Sequence, residues 1–195
     1  MVLKSLRVTK WLLNHPLLAM IIRTKKPYLL SASLLMTLLV ACDVHEVQTK
    51  CADFFSAGDL DNFDTSQSGL ARDKKTDTTW YRCPGGKTFL HHRCKGETIL
   101  ATWDEAMAYA EEFSEKVGAT WRLPTKKEMK SIMESSCNAP TINVNVFPAT
   151  EVANYWTSSS GLHQDQFRCA VNTYNGSISC RQIRTVEQPF MLVRD

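Results

Sequence analysis

Two windows of the chain repeat apolar residues at helical spacing. In the first, Ala106, Met107, Ala110, Phe113 and Val117 fall on one face of a helix. Thr102-Trp103-Asp104-Glu105 just before them has the layout of a capping box, in which the Thr hydroxyl and the Glu carboxylate take up the first free amides. Gly118 is placed to end this helix, because glycine reaches a left-handed conformation without a Cβ clash. Thr125-Lys126-Lys127-Glu128 repeats the capping device, and Met129, Ile132 and Met133 form the apolar face of a second, shorter helix. Both faces suit core packing. Elsewhere the apolar positions come in short runs: Thr79–Arg82, Asn154–Ser158, Gln166–Asn172 opposite Ser177–Ile183, and Phe190–Val193. Two helices among many short strands predict an α+β fold.

The N-terminal pattern is different in kind. Residues 28–41 are Leu-rich and uncharged, and Arg23, Lys25 and Lys26 precede them. A basic flank, a short apolar core and a small-residue end are the parts of an export signal. The core is shorter than the roughly 20 residues that cross a bilayer comfortably. It ends in Leu39-Val40-Ala41-Cys42, which resembles a bacterial lipobox with Cys42 as the lipidated residue. Residues 1–41 are therefore expected to be a lipoprotein signal peptide, and a start at Met20 would leave a signal of ordinary length. Asp43, directly after the lipidated Cys, resembles an inner-membrane retention signal. The expected location is the cell envelope, on the periplasmic face of the inner membrane or on the outer membrane.

Removing that segment reverses the charge. The whole chain is +3, but residues 1–41 hold six basic residues and no acidic one. The remainder keeps 17 basic against 20 acidic residues, a net charge of −3. Nothing in that balance points to nucleic acid.

Beyond Cys42 stand Cys51, Cys83, Cys94, Cys137, Cys169 and Cys180, an even set in an exported chain and hence an expected disulfide framework. Cys83 and Cys94 flank a turn at Gly85-Gly86; Cys169 and Cys180 flank Asn172-Thr173-Tyr174-Asn175-Gly176, which reads as a hairpin loop. Spacing favours those two bridges and leaves Cys51 for Cys137, tying an N-terminal arm to the body. A metal site at His91, His92 and Cys94 is disfavoured, because no C-x-x-C pair accompanies them. No cofactor is implied.

Residues 42–69 read as a lipid-anchored polar tether. Asp59, Asp61, Asn62 and Asp64 lack the Gly and Glu that a calcium loop needs at its sixth and twelfth positions. Enzyme signals are thin. Ser158-Ser159-Ser160-Gly161 is not a nucleophile elbow, and His163 stands alone in a polar loop. Asn175-Gly176-Ser177 fits a glycosylation acceptor only by chance in a bacterial lipoprotein.

Residues 70–195 carry a resemblance. Trp121-Arg122-Leu123-Pro124-Thr125 with Glu128-Met129 is similar to a W-R-L-P-T-x-x-E-L signature. Asp73 to Trp80 resembles a D-x-x-T-G-L-x-W opening, with Asp77-Thr78 in place of Gly-Leu. Arg82-Cys83 through Cys94-Lys95-Gly96, Thr102-Trp103 with Ala106, Ile132 to Pro148, Tyr155-Trp156-Thr157-Ser158 and Leu192-Val193-Arg194 follow in order. Together they resemble the C-terminal domain of the Lcl collagen-like adhesins; Arg184 to Gln188 departs by lacking glycine. The resemblance implies a C-type-lectin-like fold, related to the formylglycine-generating-enzyme architecture, and no established catalytic mechanism. Read physically, Pro124 fixes the turn before the second helix, Thr125 caps it, and Arg122 needs a carboxylate or carbonyl partner if buried. Trp80, Trp103, Trp121 and Trp156 suit core packing, with ligand stacking as the alternative.

The expected function is a non-enzymatic, lipid-anchored envelope module that binds glycan or protein through loops 138–166, with Tyr155 or Tyr174 stacking on a ligand. The alternative is a structural part of an envelope assembly. A polar cleft lined by aromatics would favour the first, and a sizeable exposed apolar patch the second.

Overall fold

The computed structural model describes residues 48–163 and 165–195; the signal peptide, Cys42 and Asp43 lie outside them. The strands are β1 (Phe63–Asp64), β2 (Leu70–Asp73), β3 (Thr79–Tyr81), β4 (Thr88–Leu90), β5 (Arg93–Lys95), β6 (Asn154–Ser160), β7 (Phe167–Asn172), β8 (Ile178–Ile183) and β9 (Val193–Arg194). The helices are α1 (Cys51–Phe54), α2 (Trp103–Val117) and α3 (Lys126–Ser131). All strand pairings between named strands are antiparallel, in sheets of order β1-β2-β3-β9, β4-β5 and β6-β7-β8. The fold is α+β.

Both helix-capping signals hold at atomic level. Thr102 Oγ1 accepts the Glu105 amide while the Glu105 carboxylate accepts the Thr102 amide, and Thr125 and Glu128 repeat the exchange. Gly118 ends α2 at φ 66°. Val117, expected on the buried face, is instead 49% exposed. It sits in the last turn, where α2 runs past the core it covers.

The apolar run before the C-terminus lacks alternation for a physical reason. Met191 and Val193 enter one core, with Trp80, Met129, Ile142, Val146, Phe147, Tyr155 and Val171. Phe190 and Leu192 enter another, with Ala106, Ala110, Trp121, Leu123, Trp156 and Ala170. Successive strand residues point to opposite faces, so this segment is apolar on both sides because both are covered. Tyr155-Trp156 and Ala170-Val171 divide between the cores in the same way. The strands thus form a seam between a core closed by α3 and the 142–147 loop and one closed by α2.

The three bridges are Cys51–Cys137, Cys83–Cys94 and Cys169–Cys180. Residues 48–69 depart from the expected solvated tether. Cys51 is fully buried, Phe63 packs in the first core, and β1 extends the four-stranded sheet. Asn143 Nδ2 donates to the Asp59 carbonyl at 3.0 Å and Asn145 Nδ2 to the Ser56 carbonyl at 2.8 Å. Polar composition hid this segment, because side-chain amides from elsewhere in the chain hold its backbone alongside the few apolar residues it buries.

Candidate functional site

The signature at residues 121–128 is a clamp. Thr125 caps α3, as expected, and the Pro124 carbonyl before it accepts the Ser158 amide at 2.8 Å. Glu128, in the first turn, reaches back to the Thr125 amide and also receives Arg122 through two bonds, from Nη1 at 2.9 Å and Nη2 at 2.8 Å. Arg122 Nη2 donates as well to Asp195 at 2.7 Å, joining the C-terminus to the same group. Burial raises the Glu128 pKa, but the Arg122 guanidinium and the Thr125 amide and hydroxyl outweigh it and hold the carboxyl down at about 2. The Glu128 hydrogen bonds raise Arg122 further above its ordinary range. Leu123 is fully buried and Trp121 nearly so. These residues therefore spend their chemistry on one another: the spacing W-R-L-P-T-x-x-E is the spacing that lets one carboxylate serve both a helix cap and an arginine.

The tryptophans divide unevenly. Trp80 and Trp156 are fully buried, and Trp156 Nε1 donates to the Ala101 carbonyl at 2.8 Å. Trp103 is half-buried; its Nε1 donates to the Thr157 carbonyl at 2.8 Å, and the Arg168 guanidinium lies 4.2 Å from its ring. Full burial assigns Trp80 and Trp156 to the core and closes their rings to stacking from solvent. Tyr155, expected as an exposed aromatic, is also fully buried, with its hydroxyl accepting the Glu151 amide at 3.1 Å and its pKa pushed up by burial. It lies on the inward face of β6, beside Val171. Tyr174 is 51% exposed.

Much of the polar segment 138–166, expected as loop but containing β6, is likewise committed internally. Thr141 and Asn143 are buried, Thr157 Oγ1 donates to the Cys169 carbonyl at 2.7 Å, and Ser159 Oγ accepts the Lys126 amide at 3.0 Å. His163 is exposed, at φ 54°. Cys94 is disulfide-bonded, so its thiolate is not free for a metal, and among the described residues no cluster of His, Cys, Asp and Glu is arranged to hold one.

An open cleft does exist, on the face of the four-stranded sheet, and sequence reading did not find it. Register places Asp64 opposite Arg72, Arg72 opposite Thr79, and Thr79 opposite Arg194, so the four lie in a row on one face. Thr79 and Arg194 line a depression of about 460 Å³ together with Ala119, Thr120, Arg122 and Asp195. They also line a smaller one with Asp64, Ser66, Gln67, Leu70 and Arg72. Arg72 is bonded to Asp77, and Arg122 to Glu128 and Asp195. Arg194 makes no ion pair among the described residues; its guanidinium lies over Trp121, 5.2 Å from the ring centroid. The floor thus offers an arginine on an aromatic, a threonine hydroxyl and flanking polar groups. Arg194 and Trp121 stand in the signature, but no periodicity could show that they meet Asp64, Arg72 and Thr79, because the row is assembled from four strands.

Asp77 also explains a departure from the signature. It stands where the opening motif has Gly, at φ 65°, a left-handed conformation that glycine takes freely and Asp tolerates. The same residue then reaches Arg72 on the cleft rim.

The pattern of the Lcl C-terminal domain matches residues 69–194. The chain belongs to the Lcl C-terminal domain family. A search of curated proteins finds no match.

Proposed function

We propose that this protein is a lipid-anchored binding module of the cell envelope, held through Cys42, that recognises glycan or protein ligands without catalysing a reaction. The finer fold we propose is the C-type-lectin-like one. The observation that carries the reading is Arg194: a cation without a carboxylate partner among the described residues, over Trp121, in an open polar cleft. Arginine donates to carboxylate-like and sulfate-like oxyanions in a fork, and an aromatic beneath it fixes the fork's plane. A saccharide bearing such groups is the ligand this chemistry suits best. Against catalysis, the serine hydroxyl at position 159 serves the Lys126 amide, and the polar groups of the clamp are saturated. Among the described residues no helix is long and apolar enough to cross a membrane.

The test is binding of the oxidised protein to an array of glycans, including sulfated polysaccharides, at physiological salt. Saturable binding that is lost in Arg194→Gln, with the melting temperature unchanged, is the expected result. Folded protein that binds nothing on the array contradicts it. The alternative, a structural part of an envelope assembly, is favoured by one specific observation: an exposed apolar groove elsewhere on the domain.

A further inference from the structure

The groove lies between α2 and the segment that precedes it. Helix α2 contributes Glu105, Ala108, Tyr109 and Glu112, a single stripe at helical spacing. The other wall is Ile99, Leu100 and Ala101, with Glu187 beside them. A ladder fixes that wall: the Ala101 amide donates to the Gln188 carbonyl at 3.1 Å and the Gln188 amide to the Ala101 carbonyl at 2.9 Å. The space is about 410 Å³, enough for a few side chains. Leu100 is 57% and Ile99 39% exposed, adjacent large apolar side chains without cover. Burial of such a pair against a partner is favourable.

The rim decides what kind of partner fits. Its charged groups are Glu105, Glu112 and Glu187, and no lysine or arginine lines the groove. Glu105 stays ionised, since the Thr102 hydroxyl and amide lower its pKa. Glu112 has one neighbouring cation, Lys116 at 3.6 Å, and both side chains are largely exposed. An apolar floor inside a carboxylate rim repels nucleic acid and offers a saccharide few donors. It is complementary to a segment that is apolar in the middle and cationic at its ends.

We propose that this groove is the docking site for a basic amphipathic helix of an envelope partner. Glu105 and Glu112 are seven residues apart on one helix, about 10.5 Å. Lysines or arginines two turns apart on a helix laid alongside meet both, while leucines between them cover Leu100, Ile99 and Ala108. This is helix-in-groove recognition. A second copy does not supply that segment from the described residues: α3, which carries Lys126, Lys127 and Lys130, is only six residues long. The proposal develops the assembly reading. It shares no residue with the Arg194 cleft, so either stands if the other fails.

The test is a titration of the full, oxidised protein, isotope-labelled, with a synthetic amphipathic helix bearing lysines at i and i+7 around a leucine pair. An otherwise identical peptide with glutamates for the lysines is the control. Expected are saturable amide shifts over residues 99–112 and at Glu187, none with the control, and affinity about tenfold weaker in the double variant E112K/E187K. Leu100→Ser tests the apolar floor separately and is expected to weaken binding too; both changes spare the Glu105 cap. Absence of saturation, equal binding of both peptides, shifts centred elsewhere, or variants that bind as the parent does would each overturn the proposal.

Discussion

The two cores on either side of the strand seam are built by different means. The core under α2 is closed by a long helix that presents small residues, Ala106 and Ala110, and fills the remainder with a ring cluster of Tyr81, Tyr109, Phe113, Trp121 and Phe190. The core under α3 has only one turn and a half of helix over it. It is closed by chain that comes from far away: Phe63 and Trp80 both meet Phe147 edge-to-face, and Cys51–Cys137 ties residues 86 positions apart. The difference teaches where stability is carried by local structure and where by long-range contact. A capped fifteen-residue helix arrives with most of its conformation encoded. A loop such as 142–147 does not. It is fixed by buried Arg82, whose Nε donates to the Val146 carbonyl at 2.8 Å and whose Nη2 donates to the Asn145 carbonyl at 2.7 Å, and by the arm that Asn143 and Asn145 hold.

The largest break in that comparison comes from Trp80→Ala. It empties a fully buried site in the long-range core and is expected to cost about 3–5 kcal/mol. Phe113→Ala, in the α2 core but only half-buried, is expected to cost distinctly less. Denaturant melts of the two variants check this, and equal losses would show that the cores are not so different. Next in size is the arm. The double variant Cys51→Ser, Cys137→Ser is expected to lose about 2–4 kcal/mol, since the bridge closes a long loop. Hydrogen exchange should then rise first over residues 48–69 and 142–147, with α2 still protected.

The clamp gives a pH signature. Glu128 has an ordinary value of 4.5 and is held at about 2 in the fold, so the unfolded chain takes up its proton first as pH falls. The stabilisation is complete above pH 4.5 and is lost on descent through about 2. Melting temperatures of the parent protein should fall across that window more steeply than those of Glu128→Gln, which lacks this proton-linked component. Parallel curves would remove Glu128 from the account. The smallest effect is expected at Asp77→Gly: relief of the left-handed conformation offsets loss of the exposed Arg72 pair, and the melting temperature should barely move.

Legibility in the sequence follows the same division. Both capped helices, the strand at Thr79–Tyr81 and the β7–β8 hairpin were readable, because each is specified by neighbours a few residues apart; Gly176 at φ 68° ends the loop that the Asn-Gly pair announced. The family signature was readable too, and its residues are where the fold is held. Its role was only half readable. That Arg122 needs a carboxylate or carbonyl partner if buried is readable in the sequence; that Glu128 is that partner while capping α3, and that Asp195 joins, follows from geometry. The arm was misread because hydrogen bonds from Asn143 and Asn145 leave no mark on its own apolar pattern. Tyr155 was misread because a strand covered on both faces has no polar side to reveal. The cleft was invisible because its row of side chains comes from separate strands.

The central claim is that the Arg122–Glu128 ion pair and the Thr125 cap hold the fold while recognition belongs to the sheet face around Arg194. The most direct measurement is binding of the oxidised protein and two variants, Arg194→Gln and Glu128→Gln, to the best saccharide from the array, with a melt of each sample. The account predicts that Arg194→Gln loses binding at unchanged stability, while Glu128→Gln loses stability and, below its melting temperature, still binds. Binding that survives in Arg194→Gln, or that vanishes in folded Glu128→Gln, would contradict it.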